Sequence, residues 1–215
     1  MNEDQSVVIA AAPSGGATSS GRSPAPGELE LVRAFINTLD RESGDDQVGD
    51  APTLASWLVA HELAAPGIRL DHADLRRAHE LRDDLCSLAL ANNGQAIDPA
   101  AVARLNGVAA VAPLALRFEA DGESTLRPAA GGIDAAVARL LGIVYTSMAQ
   151  GTWERLKACR EDHCHWAFYD HSKNRSGAWC SMAVCGNRAK TRTYRRRRGA
   201  PGAASIQLVG GPSAT

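Results

Sequence analysis

The chain has 215 residues, 45% of them apolar and 22% charged, with a formal net charge of −1. That length allows one large domain, or one medium domain plus a small module. No run approaches the roughly 18 apolar residues of a membrane span, and neither the acidic start nor the short Val7–Ala12 run reads as a secretory signal, so a cytoplasmic protein without a membrane partner is expected.

The small net charge conceals a division. Residues 1–154 carry 11 Lys/Arg against 21 Asp/Glu, whereas residues 155–198 carry 12 against 3. Such a split suggests a basic module fused to an acidic body. It confines any contact with phosphate to the C-terminal part.

Residues 1–26, rich in Ala, Gly, Ser and Pro, read as a disordered leader. Leu31, Val32, Phe35, Ile36 and Leu39 then form an apolar stripe that predicts a helix over 28–41, followed by a polar, acidic loop to Asp50. Thr53 is placed to cap a second helix, whose Leu54, Trp57 and Leu58 share a face before Pro66-Gly67. Asp71 caps a third over 71–92, with Leu75, Ala78, Leu81, Leu85 and Leu88 inward. Cys86 lies in this apolar pattern and reads as a small buried hydrophobe. Asp98-Pro99 opens a short helix to about Asn106-Gly107.

The period then changes. Leu114, Leu116 and Phe118 alternate, Asp121-Gly122 is a turn, and 124–127 returns, which predicts one small β-hairpin. Asp134 begins the last long helix, with Val137, Leu140, Leu141, Val144, Tyr145 and Met148 on one face, ending near Gly151. His61, His72 and His79 read as surface or capping residues. With no phosphate loop, nucleophile elbow or paired metalloprotease histidines, no enzyme is expected.

Four cysteines, Cys159, Cys164, Cys180 and Cys185, make two C-x4-C pairs separated by fifteen residues. Two such hooks joined by a loop are what one tetrahedral zinc needs. Four thiolates leave no open position, so the zinc is expected to be structural. Disulfides are one alternative, and His163 or His165 replacing a cysteine is another. Trp166, Phe168, Tyr169 and Trp179 are the rings such a small module would bury. Gly186 is read as easing a tight turn after the last thiol, and Asn187 as the cap of a following helix. On that helix Arg188, Arg192 and Arg195 form one cationic ridge, with Lys190, Tyr194 and Arg197 on the next; Arg196 and Arg198 add to the charge. With no acid over 171–198, nothing in the module is expected to neutralise these cations, and nucleic-acid phosphates are the natural partner.

The run Cys159-x4-Cys164, Phe168-Tyr-Asp-His-Ser-Lys-Asn-Arg175, Trp179-Cys-Ser-Met182 and Cys185-Gly-Asn-Arg-Ala-Lys190 resembles the CGNR zinc-finger family. In that family the finger follows a helical domain of a stress-induced transcription regulator type. Phe35-Ile-Asn-Thr-Leu-Asp40, Leu81-Arg-Asp-Asp84 and Asp121-Gly122 are similar to that front part. The resemblance implies zinc on the four cysteines and a DNA-binding role. One departure is Gly177-Ala178, where family members commonly place an Arg before Trp-Cys.

The expected architecture is mainly α: a leader over 1–26, a helical sensing and dimerising domain over 27–151 with one hairpin, a four-cysteine zinc finger with a basic helix over 152–198, and a flexible tail over 199–215. The expected function is regulation through duplex DNA, with Arg188, Lys190, Arg192, Arg195, Arg196, Arg197 and Arg198 on the nucleic acid. A homodimer through the helical domain and a small-molecule signal are the other expected partners. The rival reading is a zinc-stabilised module for RNA or an acidic protein surface.

Overall fold

The computed structural model describes residues 23–199. The expected leader before 23 and the tail after 199 lie outside them. Ordered chain begins before the expected residue 27, since Ala25 is buried and its N–H donates to Glu30 Oε2 at 2.7 Å.

Four helices come first: α1 (Leu29–Ile36), α2 (Ala51–Ala60), α3 (His72–Ala91) and α4 (Pro99–Val111). Strands β1 (Leu114–Phe118) and β2 (Ser124–Pro128) pair antiparallel, with Leu116 opposite Leu126, and lead into α5 (Gly132–Ala149). Helix α2 starts earlier than expected because Asp50, not Thr53, is its cap. The Asp50 carboxylate accepts from Thr53 N–H at 2.8 Å while Thr53 Oγ1 accepts from Asp50 N–H at 3.1 Å, a reciprocal capping box. Helix α4 runs through Asn106-Gly107 to Val111, beyond its expected end.

The core lies between α1, α2, α3 and α5, around Val32, Phe35, Leu54, Leu58, Leu81, Leu85, Val137 and Leu140. Helix α5 is long and apolar enough to cross a membrane, yet half of it is buried in this core. Tyr145 and Met148, expected inward, are 65% and 47% exposed; Ile133, Ala136 and Ile143 turn inward instead.

The mainly α class holds, but the chain has a second hairpin. Strand β3 (Leu156–Ala158) pairs with β4 (Ala167–Tyr169). Three-residue strands with no alternating pattern give no periodic signal in sequence. Its residues are buried on both faces. Leu156, Ala158, Ala167 and Tyr169 join the helical core, while Phe168 packs with the cysteines. The basic and acidic parts of the sequence therefore share one core.

Asparagines lock this junction. Asn37 brackets the Ala167 peptide: its Nδ2 donates to Ala167 O at 2.9 Å and its Oδ1 accepts from Ala167 N–H at 2.7 Å. Asn92 donates to the carbonyls of Trp153 and Leu156, both at 2.9 Å. Asn93 donates to those of Ala158 and Ala178 at 2.7 and 3.0 Å. Buried backbone groups need such partners, and these side chains supply them across the seam. The Leu81–Asp84 segment has a related task. Buried Arg82 grips Asp46 through two bonds, at 2.7 and 2.8 Å, and Thr38 Oγ1 at 3.0 Å, and buried Asp84 holds Arg104 of α4.

Candidate metal centre and basic helix

Strand β3 ends at Ala158, just before Cys159, and the first hook closes where Cys159 N–H donates to Trp166 O at 3.0 Å. Strand β4 continues into a loop held from within. Asp170 is fully buried; its carboxylate accepts from Lys157 Nζ at 2.8 Å, from Gly177 N–H at 2.7 Å and from Ser172 N–H at 3.0 Å. Burial alone would raise the Asp170 carboxyl, but these donors outweigh it and hold the group well below the usual carboxylate range. A Cβ on Gly177 would stand 2.9 Å from that carboxylate, which explains a glycine here.

The loop delivers Cys180 beside the first hook. The second hook is a π-turn, Met182–Gly186, capped by Ser181, whose Oγ accepts from Val184 N–H at 3.3 Å. Asn187 already belongs to helix α6 (Asn187–Gly199), and its amide donates back to Ala183 O. Nor does Gly186 adopt a left-handed turn. A side chain there would instead meet the Met182 thioether at 2.8 Å.

All four sulfurs lie within 4.8 Å of one another, with Cys164–Cys180 at 3.5 Å and Cys180–Cys185 at 3.7 Å. Zinc–sulfur bonds of about 2.3 Å in a tetrahedron set sulfurs about 3.8 Å apart, so the donor set fits zinc. The cysteines are not joined by disulfides, and His163, His165 and His171 lie outside the group of donor atoms. Four thiols this close cannot all ionise unaided. A hydrogen bond from Cys164, then one from Cys180, pulls Cys159 down, while the bond to Cys159 pushes Cys164 up to about 12. A bound dication removes that conflict by taking four thiolates at once. Phe168 seals the cluster, and Trp166 and Trp179 pack on it half-buried.

A C-terminal finger on this cluster and a helical front part are each matched by a family model. Residues 155–198 match the CGNR zinc finger, and residues 17–150 match the family described as "Putative stress-induced transcription regulator". The chain belongs to this regulator family. Its zinc is structural, held in a closed donor set. No curated protein matches the chain. In the family's own terms, the front part and the CGNR finger meet across the shared core described above.

Beyond the finger's thiols, α6 divides its cations into a tied and an untied set. Arg188 pairs with Glu42 of the acidic loop at 2.6 Å, both about half exposed. Arg192 makes a two-pronged pair with Glu161, whose side chain is only 2% exposed. The expectation that nothing neutralises these cations is thus corrected: Glu161 sits in the finger's own first hook, and Glu42 reaches in from the body. Lys190, Arg195, Arg196 and Arg198 are exposed, and no carboxylate among the described residues pairs with them. Arg198 lies over the Tyr194 ring at 5.4 Å; the Arg197 side chain falls outside what is described.

Sequence reasoning misses Glu161, Glu42, Lys157, Asp170 and the three asparagines. Most act between residues far apart in the chain, such as Arg188 and Glu42, 146 positions apart. Charge alone could mark Lys157 and Asp170, but only the register of β3 on β4 brings them together. Elsewhere Cys86 is buried as expected, and burial pushes its thiol up to about 11. His79 bonds the Val48 carbonyl and His61 stacks on Trp57.

Proposed function

We propose that this zinc-binding regulator is a one-component transcription factor that docks α6 on duplex DNA. In this reading the helical body pairs two copies and receives the signal, and the chain acts by binding rather than by catalysing a reaction. The observation that carries it is the division of α6. Two arginines are tied to Glu42 and Glu161 and fix the helix. Lys190, Arg195, Arg196 and Arg198 stay outward on a rigid support. Cations carried on a helix that is already folded lose little backbone freedom when phosphate arrives. Lys173, in the loop held by Asp170, is a further exposed cation of the finger.

This changes the roles expected for two residues. Arg192 and Arg188 are positioning residues, and the phosphate contacts belong to the outward set. The test is a titration of full-length, zinc-loaded protein with duplex DNA and with single-stranded RNA at two salt concentrations. Duplex affinity that falls steeply with salt supports the reading. Tight, salt-sensitive RNA binding with weak duplex binding would favour an RNA module, and no affinity for either would favour an acidic protein partner.

A further inference from the structure

Hairpin β1–β2 packs against α5, and at its base Leu114 lies 3.2 Å from the Cβ position of Gly142. Between hairpin and helix lies an open groove of about 1010 Å³, whose walls include Leu116, Leu126 and Tyr145. These residues are 58%, 41% and 65% exposed, and Phe118 at the tip is 75% exposed. Together they leave on the order of 400 Å² of apolar surface uncovered, within the range of functional patches on monomers. A two-stranded hairpin is marginal on its own, so a face this apolar is built to be covered.

We propose that a second copy of this chain covers it, each hairpin tip entering the other's groove about a two-fold axis. The surface offers both halves of a mutual contact, since one chain supplies a projecting Phe118 and an open groove whose apolar walls alternate with polar side chains. Its charge is also compatible with a second copy. Its rim mixes both signs, with Arg139–Glu28 at 2.9 Å, Arg127–Glu119 at 3.2 Å and the exposed Arg117, Asp121 and Glu123 of the hairpin, so it lies near neutrality although residues 1–154 are strongly acidic overall. Nucleic acid would require excess positive charge here, and a basic protein excess negative charge. A second copy brings the same near-balanced mixture, so neither sign is left in excess. An isologous contact uses tip and groove from both chains, covering on the order of 400 Å² of apolar surface on each, to which the polar rim adds toward the roughly 800 Å² per partner of a stable interface. The groove is open and at the upper limit of small-ligand sites, which also suits a hairpin better than a metabolite.

The interface deepens the regulator reading and rests on it only for its purpose: two fingers on one symmetric site. Sedimentation velocity of the full zinc-loaded chain at micromolar concentration should give a dimer of the 22.6 kDa protein. Phe118→Asp and Leu126→Asp should each give a monomer with unchanged zinc content and circular dichroism. A photo-crosslinking residue at position 118 should trap α5 of the other copy near Tyr145. A wild-type monomer, a dimer indifferent to both substitutions, or crosslinks confined to another surface would overturn the proposal. The regulator reading is judged separately. Monomeric variants should keep salt-sensitive duplex affinity and lose cooperativity, whereas a dimer with no duplex affinity leaves the interface standing and removes the regulator.

Discussion

The two hairpins are alike in topology and opposite in surroundings. In β1–β2, five residues pair with five and most of them face solvent; in β3–β4, three pair with three and all are buried. What holds a short ribbon is what packs on its faces, not the number of its rungs. The helical core closes one face of β3–β4, the thiol cluster closes the other, and Asn37, Asn92 and Asn93 bond the backbone at its margins. The longer ribbon leaves its apolar residues exposed. The same contrast recurs along α6, where two arginines are tied to carboxylates and the other described cations stay exposed.

The buried hairpin makes zinc a concern of the whole protein. Structural zinc contributes on the order of 10 kcal/mol in small fingers, comparable with the roughly 5–15 kcal/mol of a whole domain. Cys180→Ser, or chelation, should therefore unfold the finger and markedly lower the thermal midpoint of the helical part, followed through α3 by hydrogen exchange. Body amides that keep full protection without zinc would break the comparison, since the two faces of β3–β4 would then be independent.

A smaller effect is expected from Asn37→Ala. It leaves the buried N–H and C=O of Ala167 without their side-chain partner, which should cost about 2–4 kcal/mol in urea unfolding. A loss below about 0.5 kcal/mol would mean that the seam is not held by this bracket.

Two glycines sharpen the point. Gly177→Ala presses on the locked Asp170 carboxylate and should cost about 1–3 kcal/mol. Gly186→Ala meets chiefly the Met182 thioether, which is half exposed and can swing aside, so less than about 1 kcal/mol is expected. Equal costs at the two positions would contradict this placement. At the exposed hairpin, Phe118→Asp should change the stability of the isolated chain by no more than about 0.5 kcal/mol.

Much of this is legible in the sequence because it is local. The 3.6-residue stripes of α1 and α3, the Asp71 cap, the alternation of β1 and the paired Cys hooks each signal within a few residues. Sequence puts the α2 cap at Thr53 because Asp50 and Thr53 are both capping types and share one box. It puts Tyr145 and Met148 inward because periodicity finds an apolar stripe without saying whether a partner covers it. The buried hairpin and the ion pairs of α6 depend on contacts across the fold. Arg192 looks the same in sequence whether it meets Glu161 or phosphate.

The division of α6 is tested most directly by the salt dependence of duplex binding, measured for single substitutions along that helix. Lys190→Ala and Arg195→Ala should each flatten the slope of log affinity against log salt by about 0.9, without shifting the thermal midpoint. Arg192→Ala should leave the slope unchanged and lower the midpoint, because it strands the buried Glu161 carboxylate. If Arg192→Ala flattens the slope while Lys190→Ala and Arg195→Ala do not, the untied cations are not the nucleic-acid contacts.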